Sequence, residues 1–438
     1  MSASRLNPVP EDRPALVVRP GELAGLDDSP KSMAAIPGSR MFEIRDALAV
    51  FERDHPGGEQ FDASQGDGGA SLPGVPEELL DAAHALQKEH GTGYDQPFGT
   101  NLFRKVIAEQ YWGLDAATGW GPENVVACQG GRDALLKAYE AMQFLGMKRR
   151  GDFVVVSRVP WISYNWGPYA VGANVLLAPG READGWALTA EGIAETVREA
   201  ERHGRGVAGL VVTSPDNPTG RTIPLDAQRE LARAAFAAGI PFVLFDWIYH
   251  RVSEEPPHDL NAFLAPMTQA ERDRCMILDG ITKSLGASNV RNAHLVVSKP
   301  VAKFVSSRAS HGVIPSFHST AVAIAATTMG FDRAAAPIVG PTNESRKVLR
   351  RFLEAKGLAH ILGQGYYAFI DVGPFMDRAG MTDSAAMGAH LGERHGLAVV
   401  PGVYFSDFGA RWIRFSYALP PRTTARAADR LWEALSAL

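Results

Sequence analysis

Residues 276–291 read MILDGITKSLGASNVR, and the fold of the whole chain turns on how this stretch is interpreted. It opens on an unbroken apolar run, 276–278, and passes at once into a loop rich in Gly, Ser and Asn. A strand that is apolar at successive positions, without polar alternation, suits burial on both faces in a helix-covered parallel sheet. The loop carries Lys283 and Arg291, eight residues apart (291 − 283 = 8), and a second apolar run follows at 294–297. Lone Lys and Arg side chains are usually solvated surface charges. Two cations in a loop between two buried strands stand in a different setting.

The same pattern extends outward in both directions. Apolar runs recur at 125–128, 153–156, 175–177, 209–213 and 242–245, with amphipathic stretches between them. In 134–145, for example, Ala134, Leu135, Ala138, Tyr139 and Met142 share one helical face. Strand and helix repeated in this way predict an α/β, three-layer sandwich around a mostly parallel seven-stranded sheet. After about residue 330 the pattern changes to a long helix near 344–358 and alternating strands at 366–372 and 412–418. A closing helix at 424–438 carries Leu431, Trp432, Leu435 and Leu438 on one stripe. The expected organisation is a large domain, 80–324, and a smaller α+β domain from 36–79 and 325–438. Residues 1–35, punctuated by Pro8, Pro10, Pro14, Pro20 and Pro30, are expected to form an arm with little core of its own.

Composition narrows the function classes. A length of 438 residues is ample for two or three domains. The balance of 44 Lys and Arg against 49 Asp and Glu leaves −5, with no basic footprint for nucleic acid or an anionic membrane. Two cysteines, Cys128 and Cys275, exclude a disulfide scaffold and a Cys-rich metal site, and fit a reducing, cytoplasmic setting. No run approaches the roughly 18–20 apolar residues of a membrane span. The opening MSASRLNPVPEDRP has no apolar core and is not expected to be a signal peptide.

In open parallel sheets ligands bind beyond the carboxyl ends of the strands, so the residues after each run carry the chemistry. The run 125–128 leads into Gln129-Gly130-Gly131-Arg132 and a helix, a turn at which free N–H groups suit a phosphate. By itself such a Gly-Gly pair is more often a tight turn. The run 209–213 leads into SPDNPTG, residues 214–220, which in isolation is a proline-ordered turn around Asn217. The run 242–245 ends on Asp246, with Tyr249 three residues on. A carboxylate there costs desolvation unless it meets a cation or a strong donor, or serves as a helix cap. A phosphate site, a carboxylate for a ring nitrogen, donors for a phenolic oxygen and a reactive amine are together what pyridoxal 5'-phosphate requires.

With these motifs in order from about Phe61 to Pro420, the chain resembles the fold-type I, class I/II pyridoxal-phosphate-dependent aminotransferases. The resemblance implies that Lys283 is the Schiff-base lysine and that Thr282 and Arg291 bind phosphate beside Gly131 and Arg132. It implies that Trp161, in Pro160-Trp161 followed by Tyr164, stacks on the pyridine ring. Asn217 and Tyr249 would meet the phenolic oxygen and Asp246 the protonated ring nitrogen. Tyr94, followed by Gly99 and Phe103-Arg104, would reach the neighbouring subunit's cofactor phosphate, which implies a homodimer. Arg414 in RFSYA would hold the substrate carboxylate, while Gly66 in Ser64-Gln65-Gly66-Asp67 would line the substrate side with Asn217.

The implied activity is amino-group transfer between an L-amino acid and a 2-oxo acid, with Lys283 removing the α-proton. A lyase, a decarboxylase or an oxygen-using oxidase or hydroxylase on the same fold is the alternative. A regulator bearing this fold would need a basic helix-turn-helix, and residues 1–60 have none. Three positions depart from the common pattern: Gly280 where serine is frequent, and Asn289 and Ala293 where glycines are usual. For substrate choice, Arg308, His311 and His318 lie where side-chain-recognising residues are expected, and Asp67 or Asp279 would suit a basic substrate. The segment 33–48 is a candidate cover for the cleft.

Overall fold

Side chains alternate across a strand, so a strand apolar at every position needs a buried layer on each side. The structure, a computed structural model, describes residues 9–18, 36–38, 40–146 and 148–438. Within it lie β1 (Ala15–Leu16), β2 (Phe61–Asp62), β3 (Val125–Cys128), β4 (Phe153–Val156) and β5 (Asn174–Leu177). Next come β6 (Val207–Thr213), β7 (Phe242–Asp246), β8 (Cys275–Asp279) and β9 (Ala293–Val297). In β3, Val125 and Ala127 join one cluster of buried side chains while Val126 and Cys128 join another on the opposite face. Phe153 and Val155 divide from Val154 and Val156 of β4 in the same way.

The sheet order is β1-β5-β4-β6-β7-β8-β9-β3. Strands β5, β4, β6, β7 and β8 pair in parallel, whereas β9 is antiparallel to both β8 and β3. The carboxyl ends of β3, β6, β7 and β8 therefore open on one edge. The seven expected strands are all present, and an eighth is added from the N-terminal stretch. There β1 pairs antiparallel with β5, Ala15 and Val18 are buried, and the buried Arg158 donates to the carbonyls of Pro10 (2.9 Å) and Arg13. Short apolar content had marked this stretch as lacking a core of its own, and it borrows one from the sheet. The remainder of the expected arm, 1–8 and 19–35, lies outside the described residues, as does the start of the segment 33–48.

The C-terminal part holds β10 (His360–Leu362), β11 (Tyr367–Asp371), β12 (Leu397–Ala398), β13 (Val400–Pro401) and β14 (Trp412–Ser416). Strands β10, β11, β14 and β13 form an antiparallel sheet, and β12 pairs with β2. The helices Phe331–Lys356 and Pro421–Ser436 pack on one face through Leu349, Leu353, Leu431 and Leu435. The helix Met41–Asp54 meets Ser384–His395 so closely that a Cβ on Gly392 would lie 2.6 Å from the Ala47 Cβ. The long helix starts at Phe331, well before the expected residue 344, and runs through Pro337 and Pro341. Prolines inside a helix cost about 3 kcal/mol or more. A buried stripe of Phe331, Ala334, Ala335, Ile338 and Thr342 holds the turns around them in place.

Candidate active site

The amine at the centre of the strand ends is Lys283, in the short helix Ile281–Ser284 that follows β8 directly. Its Nζ donates to the carbonyl of Gly66 and lies 5.7 Å from the centre of the Tyr249 ring. Gly66 is glycine for want of room, since a Cβ there would sit 2.3 Å from Tyr367 Oη. Burial lowers the amine's pKa to about 8; Asp67 pulls it up, and Arg414 and Arg132 push it down further.

Asp246 closes β7. Its carboxylate accepts from Tyr164 Oη at 2.7 Å and from the Ile248 N–H at 3.0 Å, and Thr213 Oγ1 donates to Tyr164 Oη at 3.1 Å. Burial pushes this carboxyl up to about 6 against the pull of the Tyr164 bond. Tyr249 Oη shares a hydrogen bond of 2.9 Å with Tyr367 Oη. Arg414, on β14, donates from Nη1 to Asn217 Oδ1 at 2.8 Å and from Nη2 to the Ser64 carbonyl at 2.7 Å. Its guanidinium lies over the Tyr367 ring at 4.2 Å, and its buried Nε has no partner among the described residues. An open donor on a guanidinium held this firmly suits an incoming carboxylate.

A phosphate-sized anion has its place at the far side. The helix Gly131–Ala141 starts after Gly130, which has φ +82° and gives no side-chain cap. A Cβ on Gly130 would fall 2.5 Å from Arg291 Nη2, so the turn and the guanidinium touch. Arg291 itself takes φ +60° and donates to the Ser288 carbonyl at 2.8 Å. Helix N–H groups and an arginine brought together at a glycine form an anion cradle. Arg132 lies 5.6 Å from the Trp161 ring centre, Trp161 stands edge-on to Tyr164 at 5.5 Å, and Thr282 Oγ1 donates to the Asn292 carbonyl at 3.3 Å. Cradle, amine, buried carboxylate and open guanidinium donor match the chemistry of pyridoxal 5'-phosphate and an amino acid.

Tyr94 alone stands apart, fully exposed. Its loop is tied to β3 by the bond from Ala127 N–H to the Phe98 carbonyl (3.0 Å). Gly99 makes that approach possible, because at φ +91° a Cβ would meet the Ala127 Cβ at 2.6 Å. The residues expected to read the substrate side chain fare differently. Arg308 pairs with Glu140 at 3.0 Å, and His311 and His318 are exposed. Asp279 has both carboxylate oxygens taken, by Tyr111 and His250 on one and the Gly280 N–H on the other.

One departure from the common motif, Gly280, follows from the neighbouring backbone. A Cβ on Gly280 would lie 2.7 Å from Ala293 Cα and 2.8 Å from the Asn292 carbonyl, so β9 leaves no room for serine there. Gly280→Ser should therefore lower the unfolding free energy by about 1–3 kcal/mol, the usual range for overpacking. A shifted midpoint in urea with an unchanged slope checks it.

Sequence reasoning overlooked Tyr367, Tyr366 (whose Oη donates to the Lys283 carbonyl) and the bond from Tyr164 to Asp246. The alternation of β11 against β14 carried a signal for Tyr367. Phe369 pairs with Arg414 and Tyr367 with Ser416, which puts Tyr367 on the face of Arg414.

Comparison with known proteins gives the same reading. The family model "Aminotransferase class I and II" matches residues 60–431. The aspartate/prephenate aminotransferase of Thermus thermophilus is 27% identical over 367 residues, 81% of this chain and 86% of that protein. The aspartate aminotransferase of Geobacillus stearothermophilus is 23% identical over 82% of this chain and 87% of its own length. In fold, a double mutant of the Thermus thermophilus aspartate aminotransferase superposes with a TM-score of 0.78 at 23% identity, over 92% of this chain and 98% of the other. The chain belongs to the class I and II aminotransferases, enzymes that transfer amino groups with pyridoxal 5'-phosphate.

Proposed function

We propose that Lys283 is the amine that bonds pyridoxal 5'-phosphate and the base that carries the α-proton while the amino group passes from an L-amino acid to a 2-oxo acid. The observation that supports this most directly is the Lys283 Nζ held by the Gly66 carbonyl, beside Tyr249 and within the field of Asp67, Arg414 and Arg132. When bound, the cofactor supplies an aldehyde for the amino group and a ring that takes up the electron pair released at the α-carbon.

The chain's own groups do the rest. Gly131, Arg132, Thr282 and Arg291 hold the phosphate, Trp161 covers the ring, and Asn217 and Tyr249 meet the phenolic oxygen. Asp246, oriented by Tyr164, faces the ring nitrogen. Arg414 takes the substrate carboxylate through its open Nε, with Gly66 lining the same side. Lys283, with a pKa near 8, is part neutral at mildly alkaline pH and so can accept a proton at Nζ and return it.

The fully exposed Tyr94 on its pinned loop supports a homodimer in which it reaches the partner's phosphate site. Two buried free thiols, Cys128 and Cys275, agree with a reducing cytoplasm. We keep the division into a large domain, 80–324, and a smaller one from 36–79 and 325–438. Relatives named for aspartate make acidic amino acids the first donors to try.

The test is a panel of amino acids mixed with the loaded protein while cofactor absorbance and dissolved oxygen are followed. An amino acid alone should convert the spectrum once, and a 2-oxo acid should restore it. Continuous release of ammonia or carbon dioxide, or uptake of oxygen, without any acceptor would overturn transfer in favour of another reaction.

A further inference from the structure

Behind the site lies a buried polar cluster that the proposed mechanism leaves unused. Asp279, the last residue of β8, accepts at Oδ2 from Tyr111 Oη (2.5 Å) and His250 Nε2 (2.8 Å), and at Oδ1 from the Gly280 N–H (2.7 Å). Both Asp279 and His250 are almost fully buried. His250 Nδ1 accepts from the His258 N–H at 3.0 Å, so the ring proton sits on Nε2 and the imidazole donates to Asp279 without cancelling its charge.

The groups packed around Asp279 leave it anionic. His294, its register partner on β9, accepts at Nε2 from Trp112 Nε1 (2.8 Å), and burial pushes it down to about 4, as it does His258. Arg251 is the flanking cation; its guanidinium lies 4.2 Å from the Tyr111 ring centre and turns outward to Asp332 at 3.3 Å. Burial opposes the charge on Asp279, but the bonds from His250 and Tyr111 favour it, and its pKa is lowered. Lys283 stands four residues on, beyond the Gly280 turn.

Strands β7 and β8 are neighbours, and Asp246 registers with Leu278, the residue before Asp279. Two buried carboxylates thus end adjacent parallel strands, one residue out of step. We infer that Asp279 is a second carboxylate whose charge, beside that of Asp246, helps to keep a proton on the cofactor's ring nitrogen. This rests on the reading that Asp246 faces that nitrogen. Asp279 is a positioning residue: it touches neither cofactor nor substrate, and its charge adds to the field that favours a cationic ring.

The test uses the full-length protein loaded with pyridoxal 5'-phosphate labelled with nitrogen-15 in the ring, whose shift reports the ring proton across a pH series. Asp279→Asn keeps the shape and removes the charge, and should release the ring proton at a pH lower by about half a unit or more. Tyr111→Phe removes a buried hydrogen bond but keeps the charge, and should follow the unmodified protein. Arg251→Gln removes the flanking cation and should move the release the opposite way, which keeps the question answerable if Asp279→Asn does not fold. An unmoved titration in Asp279→Asn, or in Arg251→Gln where Asp279→Asn cannot be prepared, overturns the inference. So does a shift in Tyr111→Phe as large as that in Asp279→Asn. Asp246→Asn separates the two levels. If it changes nothing, the placement of Asp246 fails and the inference with it; if it alone shifts the titration, only the role of Asp279 falls.

Discussion

Lys283→Ala is expected to abolish turnover, by about four orders of magnitude or more, while the protein stays folded. Removing a general base alone costs up to about 10⁴-fold, and here the same amine also forms the bond to the cofactor. The absorbance of lysine-bound cofactor should vanish, although the cradle of Gly131, Arg132 and Arg291 still retains the phosphate. Persistence of that band in the variant would show that another amine does the work. The unmodified chain carries a pH signature of the same group. With its pKa lowered to about 8 from an ordinary 10.5, the amine is protonated and unreactive at lower pH, so capture of pyridoxal 5'-phosphate should quicken as pH rises through about 8. The stability sign follows from linkage. Between these two values the unfolded chain holds a proton that the folded chain has lost, so cofactor-free protein should gain stability as pH rises across that window. In Lys283→Ala this contribution is absent, and comparing unfolding midpoints of the two proteins isolates it.

Arg414→Ala should lower kcat/KM for every amino acid by about 30- to 1,000-fold, mainly through KM. That corresponds to about 2–4 kcal/mol, the worth of a charge-assisted bond plus the penalty for partners left unpaired. Those partners are Asn217 Oδ1 at 2.8 Å and the Ser64 carbonyl at 2.7 Å, both already satisfied by Nη1 and Nη2. The substrate therefore meets a guanidinium pinned on one side and stacked on Tyr367, with little entropy left to lose. Arg414→Lys should recover only a small part, because an ammonium offers no planar fork. The control is an amine lacking the carboxylate. It should react with the unmodified protein and with Arg414→Ala at comparable rates, and an equal fall for both compounds would refute the assignment.

How much of this could be read from residues alone differs between fold and site. Strands β3 to β9 were legible because burial on both faces leaves them almost wholly apolar, His294 of β9 and the end residues of β5 to β8 aside, a signal local to a few residues. The position of Lys283 after β8 was legible for the same reason. The helix Phe331–Lys356 was only half legible, since Pro337 and Pro341 speak locally for a break and only the buried stripe, a tertiary fact, overrules them. The N-terminal strand was hidden because two residues have no period, and its burial depends on β5 and Arg158, more than a hundred residues away in sequence. Tyr164, Tyr367 and Asp279 each draw their meaning from long-range hydrogen bonds. The pairs Tyr164–Asp246, Tyr249–Tyr367 and Tyr111–Asp279 join segments that no local pattern connects. Asp279 was visible as a polar residue at a strand end, yet its orientation is set by Tyr111 and His250.

The same N-terminal pairing bears on how the molecule behaves in company. A sheet edge presents a row of unpaired N–H and C=O groups, a template on which other chains can add strands and aggregate. Here the outer side of β5 is closed by Ala15 and Leu16, and on the opposite flank the Ala127 N–H of β3 is taken by the Phe98 carbonyl. Among the described residues, what is left at one margin is a two-residue strand, and at the other a strand met by the loop at Phe98. Ala15 and Leu16, which precede the family's matched region, thus occupy the edge of β5 that would otherwise be open to another strand.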